Sequence, residues 1–254
     1  MRTMSKIATA TLGSAALRPF LGVGIAQAAD GNTMAKLRPV VLNGVDASGT
    51  AMVTVNGNRI DVTMAASGLL ADNPHAAHIH FGADARHECP SKEDDAKDDG
   101  TINTTDGDPA YGPIVVSLTK TGDTSPKSGL AVDRFDTAPG GKIAYERGSI
   151  KVSEEVAQAV ADGEGVVVVH GVDHNDNGKY DGDTKSDLDP SLPTEATDPA
   201  ICGVLNAAPT GGVETGAGGT STPNNEGMLL LGGGLLLAAV GTGAVSARKA
   251  RNSA

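Results

Sequence analysis

The stretches Ala51-Met-Val-Thr-Val and Arg59-Ile-Asp-Val-Thr-Met flank Asn56-Gly57-Asn58. Both arms alternate, setting Val53 and Val55 on one face and Ile60, Val62 and Met64 on another, and the Asn-Gly turn joins them as a β-hairpin. Further strands are readable at residues 39–43, 76–81, 114–119, 143–145, 149–152 and 165–171. Several strands at this short spacing predict an all-β fold, an antiparallel sandwich or barrel. One short helix is expected over 154–162, with Ser153 as N-cap, Glu154 and Glu155 in its first turn and Gly163 ending it. Between Cys89 and Tyr111 the chain has charges and turn formers but no periodicity, which reads as a long solvated surface loop.

The two ends differ from this middle. Residues 1–28 carry Arg2 and Lys6, then a small and apolar run interrupted by Arg18 and Pro19, then Ala26-Gln27-Ala28, the pattern of a secretory signal with its cleavage site. Residues 228–247 open with an uncharged run from Met228 to Val245, close to the roughly 20 residues that span a bilayer. Arg248, Lys249 and Arg251 in the 248–254 tail predict a cytoplasmic C-terminus. The Gly- and Thr-rich linker of residues 207–227 cannot pack. The expectation is an exported domain, residues 29–206, held at the extracellular face of the membrane by a C-terminal transmembrane helix.

The end segments hold six basic residues and no acidic one, so the stretch between them carries −17 against −11 for the whole chain. Such a charge excludes nucleic acid as a partner. In an exported chain the two cysteines, Cys89 and Cys202, suggest one disulfide, with a free reactive pair as the alternative.

Histidine is confined to two windows. HAAHIHFGADARHECP, from His75 to Pro90, holds four of the six, and VVVVHGVDHNDNGKYDGD holds His170 and His174. His78 and His80 are two apart in an apolar strand and so point to one face. Two imidazoles on a rigid element suit a borderline metal such as copper or zinc; the alternative is a solvated strand face. His170 follows four valines, and an imidazole buried among them needs a partner.

These residues together resemble the Cu/Zn superoxide dismutase family. There a strand bears His-x-His, a disulfide cysteine follows nine residues later, a Val-rich strand bears another copper histidine, and the second cysteine opens a Cys-Gly-Val strand. This chain has His78, His80, Cys89, His170 and Cys202-Gly203-Val204 in that order. The stretch GTAMVTVNGNRIDVTMAASGL followed by HAAHIHFG also looks like the bacterial CHRD domain, a secreted β-domain. The resemblance implies a Greek-key sandwich, a Cys89–Cys202 disulfide, and copper held by His78, His80 and His170. If the chain is an enzyme, it implies superoxide dismutase activity. The sequence also departs from the dismutases. Residues 90–113 contain no histidine, so the bridging and zinc ligands are missing and zinc is not expected. Pro199 stands where the family has its substrate-guiding arginine. His75, His87 and His174 are the remaining candidates for a fourth nitrogen. The expected activity is therefore copper binding with weak or no catalysis, the alternatives being an active dismutase and a structural surface domain without metal.

Asp173, Asn175, Asn177 and Asp181, with Gly178 at the sharp turn and the Lys179 carbonyl, resemble the first nine positions of a calcium loop. Position twelve is Thr184 rather than glutamate, and the alternative is an Asx-rich turn that caps its own backbone.

Overall fold

Alternation builds nearly every long strand. In the computed structural model, which describes residues 29–207, the strands are β1 (Asp30–Pro39), β2 (Ser48–Asn56), β3 (Arg59–Ser67), β4 (Pro74–His75), β5 (Ala77–His80), β6 (Ile114–Ser117), β7 (Asp136–Thr137), β8 (Lys142–Lys151), β9 (Val166–His170), β10 (Pro199–Val204) and β11 (Asn206–Ala207). Two helices accompany them, α1 (Thr104–Tyr111) and α2 (Glu154–Asp162). The main sheet is antiparallel in the order β6-β5-β9-β10-β1-β2-β3-β8, with β11 also on β1, while β4 and β7 form a small separate ribbon.

β1 turns this one sheet into two layers. Its residues Asp30 to Leu37 pair with β2, while Arg38 and Pro39 pair with Cys202 and Ile201 of β10. The sheet thus curls over its own apolar face. Val53, Val55, Ile60 and Val62 from one half share a core with Ile79, Val167, Val169 and Ile201 from the other. Each such side chain contributes about 1.5–3 kcal/mol on full burial. Among the described residues this core runs from Ala29 to Leu205.

The hairpin follows the expected register, with Asn56 opposite Arg59 and Gly57 at φ 60° in the turn. Helix α2 runs over the expected residues; the Ser153 side chain accepts from the Val156 N–H, and Gly163 closes it in the left-handed region.

Four expectations need correction. The first strand is not residues 39–43 but Asp30–Pro39. Its inward residues, Thr33, Ala35 and Leu37, are too small or polar to make a visible apolar stripe, and Leu42 at φ 68° turns the chain where the apolar run Val40-Val41-Leu42 reads as strand. Residues 143–145 and 149–151 belong to one strand, β8, interrupted by a bulge where Ser149 takes φ 56°, and Val152 lies just past its end. There are two helices rather than one. The fourth correction concerns the end of the 89–111 segment: residues 91–101 are the expected exposed loop, but residues 102–111 are largely buried. Ile102 and Tyr111 are buried there with Val40, Val166, Val168 and Cys202 in a second apolar cluster, on the face of β5 and β9 turned away from the main core. Both faces of those two strands are therefore covered, and every one of their residues is buried.

Residues 1–28, 228–247 and 248–254, expected to form signal, anchor and tail, lie outside the described residues, as does the 207–227 linker beyond its first residue. Among the described residues no helix is long and apolar enough to cross a membrane.

Candidate metal centre

β5 and β9 lie side by side with His78 opposite Val168 and His80 opposite Val166, so the His-x-His face of β5 meets the end of β9 that carries His170. All three rings are buried. Each spends one nitrogen on a backbone carbonyl. His78 Nε2–H donates to Gly129 O at 3.0 Å, His80 Nδ1–H to Gly112 O at 2.8 Å, and His170 Nδ1–H to Thr197 O at 2.6 Å. A bond of this kind to a carbonyl fixes the tautomer and leaves the opposite nitrogen as a bare acceptor.

Those opposite nitrogens, His78 Nδ1, His80 Nε2 and His170 Nε2, are all buried and without a protein partner. One ligand nitrogen from each ring lies within 4.8 Å of the others. Nitrogens about 2 Å from one ion can be no more than about 4 Å apart, so the widest pair need close by at most about 0.8 Å. Burial, and then the neighbouring imidazoles, hold the rings neutral. Desolvation is the largest cause for each, pushing His80 down to about 3 and His170 to about 4, and His78 well below its ordinary value. Three neutral imidazoles with converging lone pairs and fixed tautomers fit a transition metal. Three orphaned acceptors would otherwise cost free energy with nothing in return.

Most of the supporting residues come from segments to which the sequence assigns no role at this site. Tyr111 of α1 packs on His80 with ring centroids 4.5 Å apart and donates its hydroxyl to Thr104 O at 2.8 Å. Phe135 meets His78 edge-on at 5.4 Å. Gly112, at φ 81°, presents the carbonyl that fixes His80, and a Cβ there would come within 2.8 Å of Gly82 N. Asn43 is the buried staple of this face. Its amide donates to Ile102 O and Pro199 O, both at 2.8 Å, and its carbonyl accepts from Ile102 N at 2.8 Å. Cys89 and Cys202 form the disulfide, with Cα atoms 5.7 Å apart, tying the start of the covering segment to β10.

The other histidines stand apart from the trio. His75 donates Nδ1–H to His170 O at 2.7 Å, with the Tyr180 hydroxyl 3.1 Å away. His87 bonds Gly82 O at 2.8 Å and stacks on Phe81. His174 pairs with buried Asp198 at 2.8 Å, a hydrogen bond that raises its pKa. None of the three belongs to the convergent group.

In the 173–181 turn, the Asn175 and Asn177 amides donate to the Asp181 carboxylate at 3.0 Å, and Asp173 accepts from the Asn177 and Gly178 N–H groups. Buried Glu195 accepts from His174 N, Asn175 and Asp181 N, binding the turn to the segment that also supplies Thr197 O to His170. Pro199, opposite His170 on β10, is buried and brings no charge to the site.

The model for the CHRD domain family matches residues 31–178. No curated protein matches the sequence. Among solved structures the chain is similar to a mutant of Candida albicans superoxide dismutase 5, at 14% identity and a TM-score of 0.38, covering 74% of this chain and 98% of that one.

Proposed function

The chain belongs to the CHRD domain family, and within it we propose an exported copper-binding domain that uses His78, His80 and His170 with little or no turnover. The observation that carries this reading is the clustering of three buried histidines, each with one ring nitrogen lacking a protein partner and each offering a ligand nitrogen within 4.8 Å of the others. An all-nitrogen set of neutral ligands favours copper(II) over the other divalent first-row metals, the order of affinity peaking at that ion. Bound copper would supply one-electron exchange. The residues around it do not favour rapid turnover of a small anion. Pro199 provides no guiding charge, and the approach to His78 and His170 is lined chiefly by apolar side chains.

Copper titration of the full chain should give one tight site, and changing His78→Ala with His170→Ala should weaken it by at least about a hundredfold, near 2.7 kcal/mol. Equal affinities would remove the site. Because both side chains are buried, the electron paramagnetic resonance spectrum of the copper-loaded wild type provides a check independent of variant folding. Coupling to three imidazole nitrogens is expected, and a spectrum of oxygen ligands alone contradicts the assignment.

The location of the domain forms part of the proposal. Residues 1–28 would direct export and 228–247 would anchor the chain, leaving residues 29–206 outside; the Cys89–Cys202 disulfide suits such an oxidising compartment. Calcium is proposed for the 173–181 turn, where Asp173, Asn175, Asn177 and Asp181 surround one bend joined by the Lys179 carbonyl. Millimolar calcium should raise the melting temperature by roughly 2 to 4 °C, the shift about 1 kcal/mol produces in a domain of this size. An unchanged melt, together with unchanged proteolysis of the turn, leaves it a self-capped Asx turn.

A further inference from the structure

The site has an antechamber. A cavity of about 340 Å³ is lined by His78 and His170 together with Ile114, Leu130, Val132 and Leu188. The two buried histidines mark its inner end, and Leu130, Val132 and Leu188, each more than a third exposed, mark its mouth. At about 30 Å³ per water it holds some ten waters, or an organic molecule of about ten heavy atoms. That is far more room than a diatomic anion needs, and it falls within the range of organic-ligand pockets.

The walls are built by the segments that orient the metal-facing rings. One side is the turn that supplies Gly129 O to His78. It is held in place by Asp123, which accepts from Ser125 and Ser128 at 2.6 and 2.7 Å, and by Arg134, which donates to Ser128 Oγ at 2.7 Å. The other side includes Thr197, whose carbonyl fixes His170. Among the described residues no carboxylate lines the cavity, and Lys127 is its one charged lining residue, in a chain that carries −17 between its end segments. The cavity therefore combines an apolar body, the buried His78 and His170 rings at its inner end and a positive entrance.

We propose that this cavity binds an amphiphilic monocarboxylate, its apolar chain against Ile114, Leu130, Val132 and Leu188 and its carboxylate directed inward to His78 and His170. The inward direction of the carboxylate rests on the copper reading, since a metal there supplies the positive charge it meets. The apolar half of the site does not depend on that reading.

The test is equilibrium dialysis of radiolabelled octanoate against the full chain, copper-loaded and metal-free, with acetate as competitor. One octanoate per chain is expected, bound at least about tenfold more tightly with copper, and acetate should compete at least a hundredfold less well. Leu130→Glu with Leu188→Glu, both at exposed positions, should weaken octanoate at least about tenfold while leaving copper uptake unchanged. Lys127→Glu should weaken it and Lys127→Arg restore it. If the double glutamate variant binds octanoate like the wild type, or acetate competes equally, the proposal falls and the copper reading stands. Octanoate binding that survives while copper uptake fails overturns the copper reading and the inward carboxylate, and leaves the apolar site in place.

Discussion

Changing Cys89 and Cys202 together to serine is expected to lower the unfolding free energy by about 4 to 5 kcal/mol. The bridge closes a loop between residues 113 apart in sequence, and the chain entropy released to the unfolded state by opening a loop of that length is about this large. Its position adds a second effect. Cys89 begins the segment whose Ile102 and Tyr111 cover the outer face of β5 and β9, so the variant loses the covalent tie nearest the His80 side of the metal centre. Urea melts of the oxidised wild type and the double variant measure the first effect, and a difference under about 1 kcal/mol would contradict it. Faster amide exchange at residues 102–111 in the variant would register the second.

The metal-free domain should lose stability steeply between about pH 6.5 and pH 4. Burial holds His80 at about 3 and His170 at about 4 in the folded chain, and His78 well below its ordinary value. Unfolded, each takes a proton near pH 6.5. Between those limits the unfolded state binds protons that the folded state excludes. Each imidazole then shifts the balance toward unfolding by about 1.4 kcal/mol per pH unit, and three together by about 4. The contribution is complete above pH 6.5 and is lost as the pH falls. Copper bound as proposed would occupy the same nitrogens, so the loaded protein should withstand lower pH than the metal-free one. Chemical denaturation at pH 7, 6 and 5 decides this, and a flat profile for the metal-free chain would sink it.

The sequence discloses this site unevenly, for physical reasons. His78, His80 and His170 were legible because strand periodicity is two and the apolar context of both windows announces burial. The disulfide was legible because the chain has two cysteines and so one intramolecular pairing open to it. The covering segment was not. Helix α1 reads TTDGDPAY, with a glycine and a proline inside eight residues, and by propensity it should not form. It forms because Asn103 and Asp106 cap each other's backbone and because the Tyr111 ring lies against Gly107, where a Cβ would come within 2.4 Å. Asn43 was invisible for a different reason. Its partners lie 59 and 156 residues away, and nothing local marks an asparagine that will be buried. Lys127, the charge at the mouth of the cavity, lies in a turn whose place beside His78 is set only by tertiary contact.

That asparagine carries a consequence for timing. A chain made from its N-terminus has His78 and His80 early, yet the carbonyl that fixes His170 belongs to Thr197, and the strand that Asn43 fastens begins at Pro199. Until those residues emerge, His170 has no settled tautomer, and β1 lacks its neighbour on one side. The candidate centre is therefore among the last parts of the domain to be completed, and a metal bound there would be captured after synthesis of nearly the whole domain rather than guide its early folding.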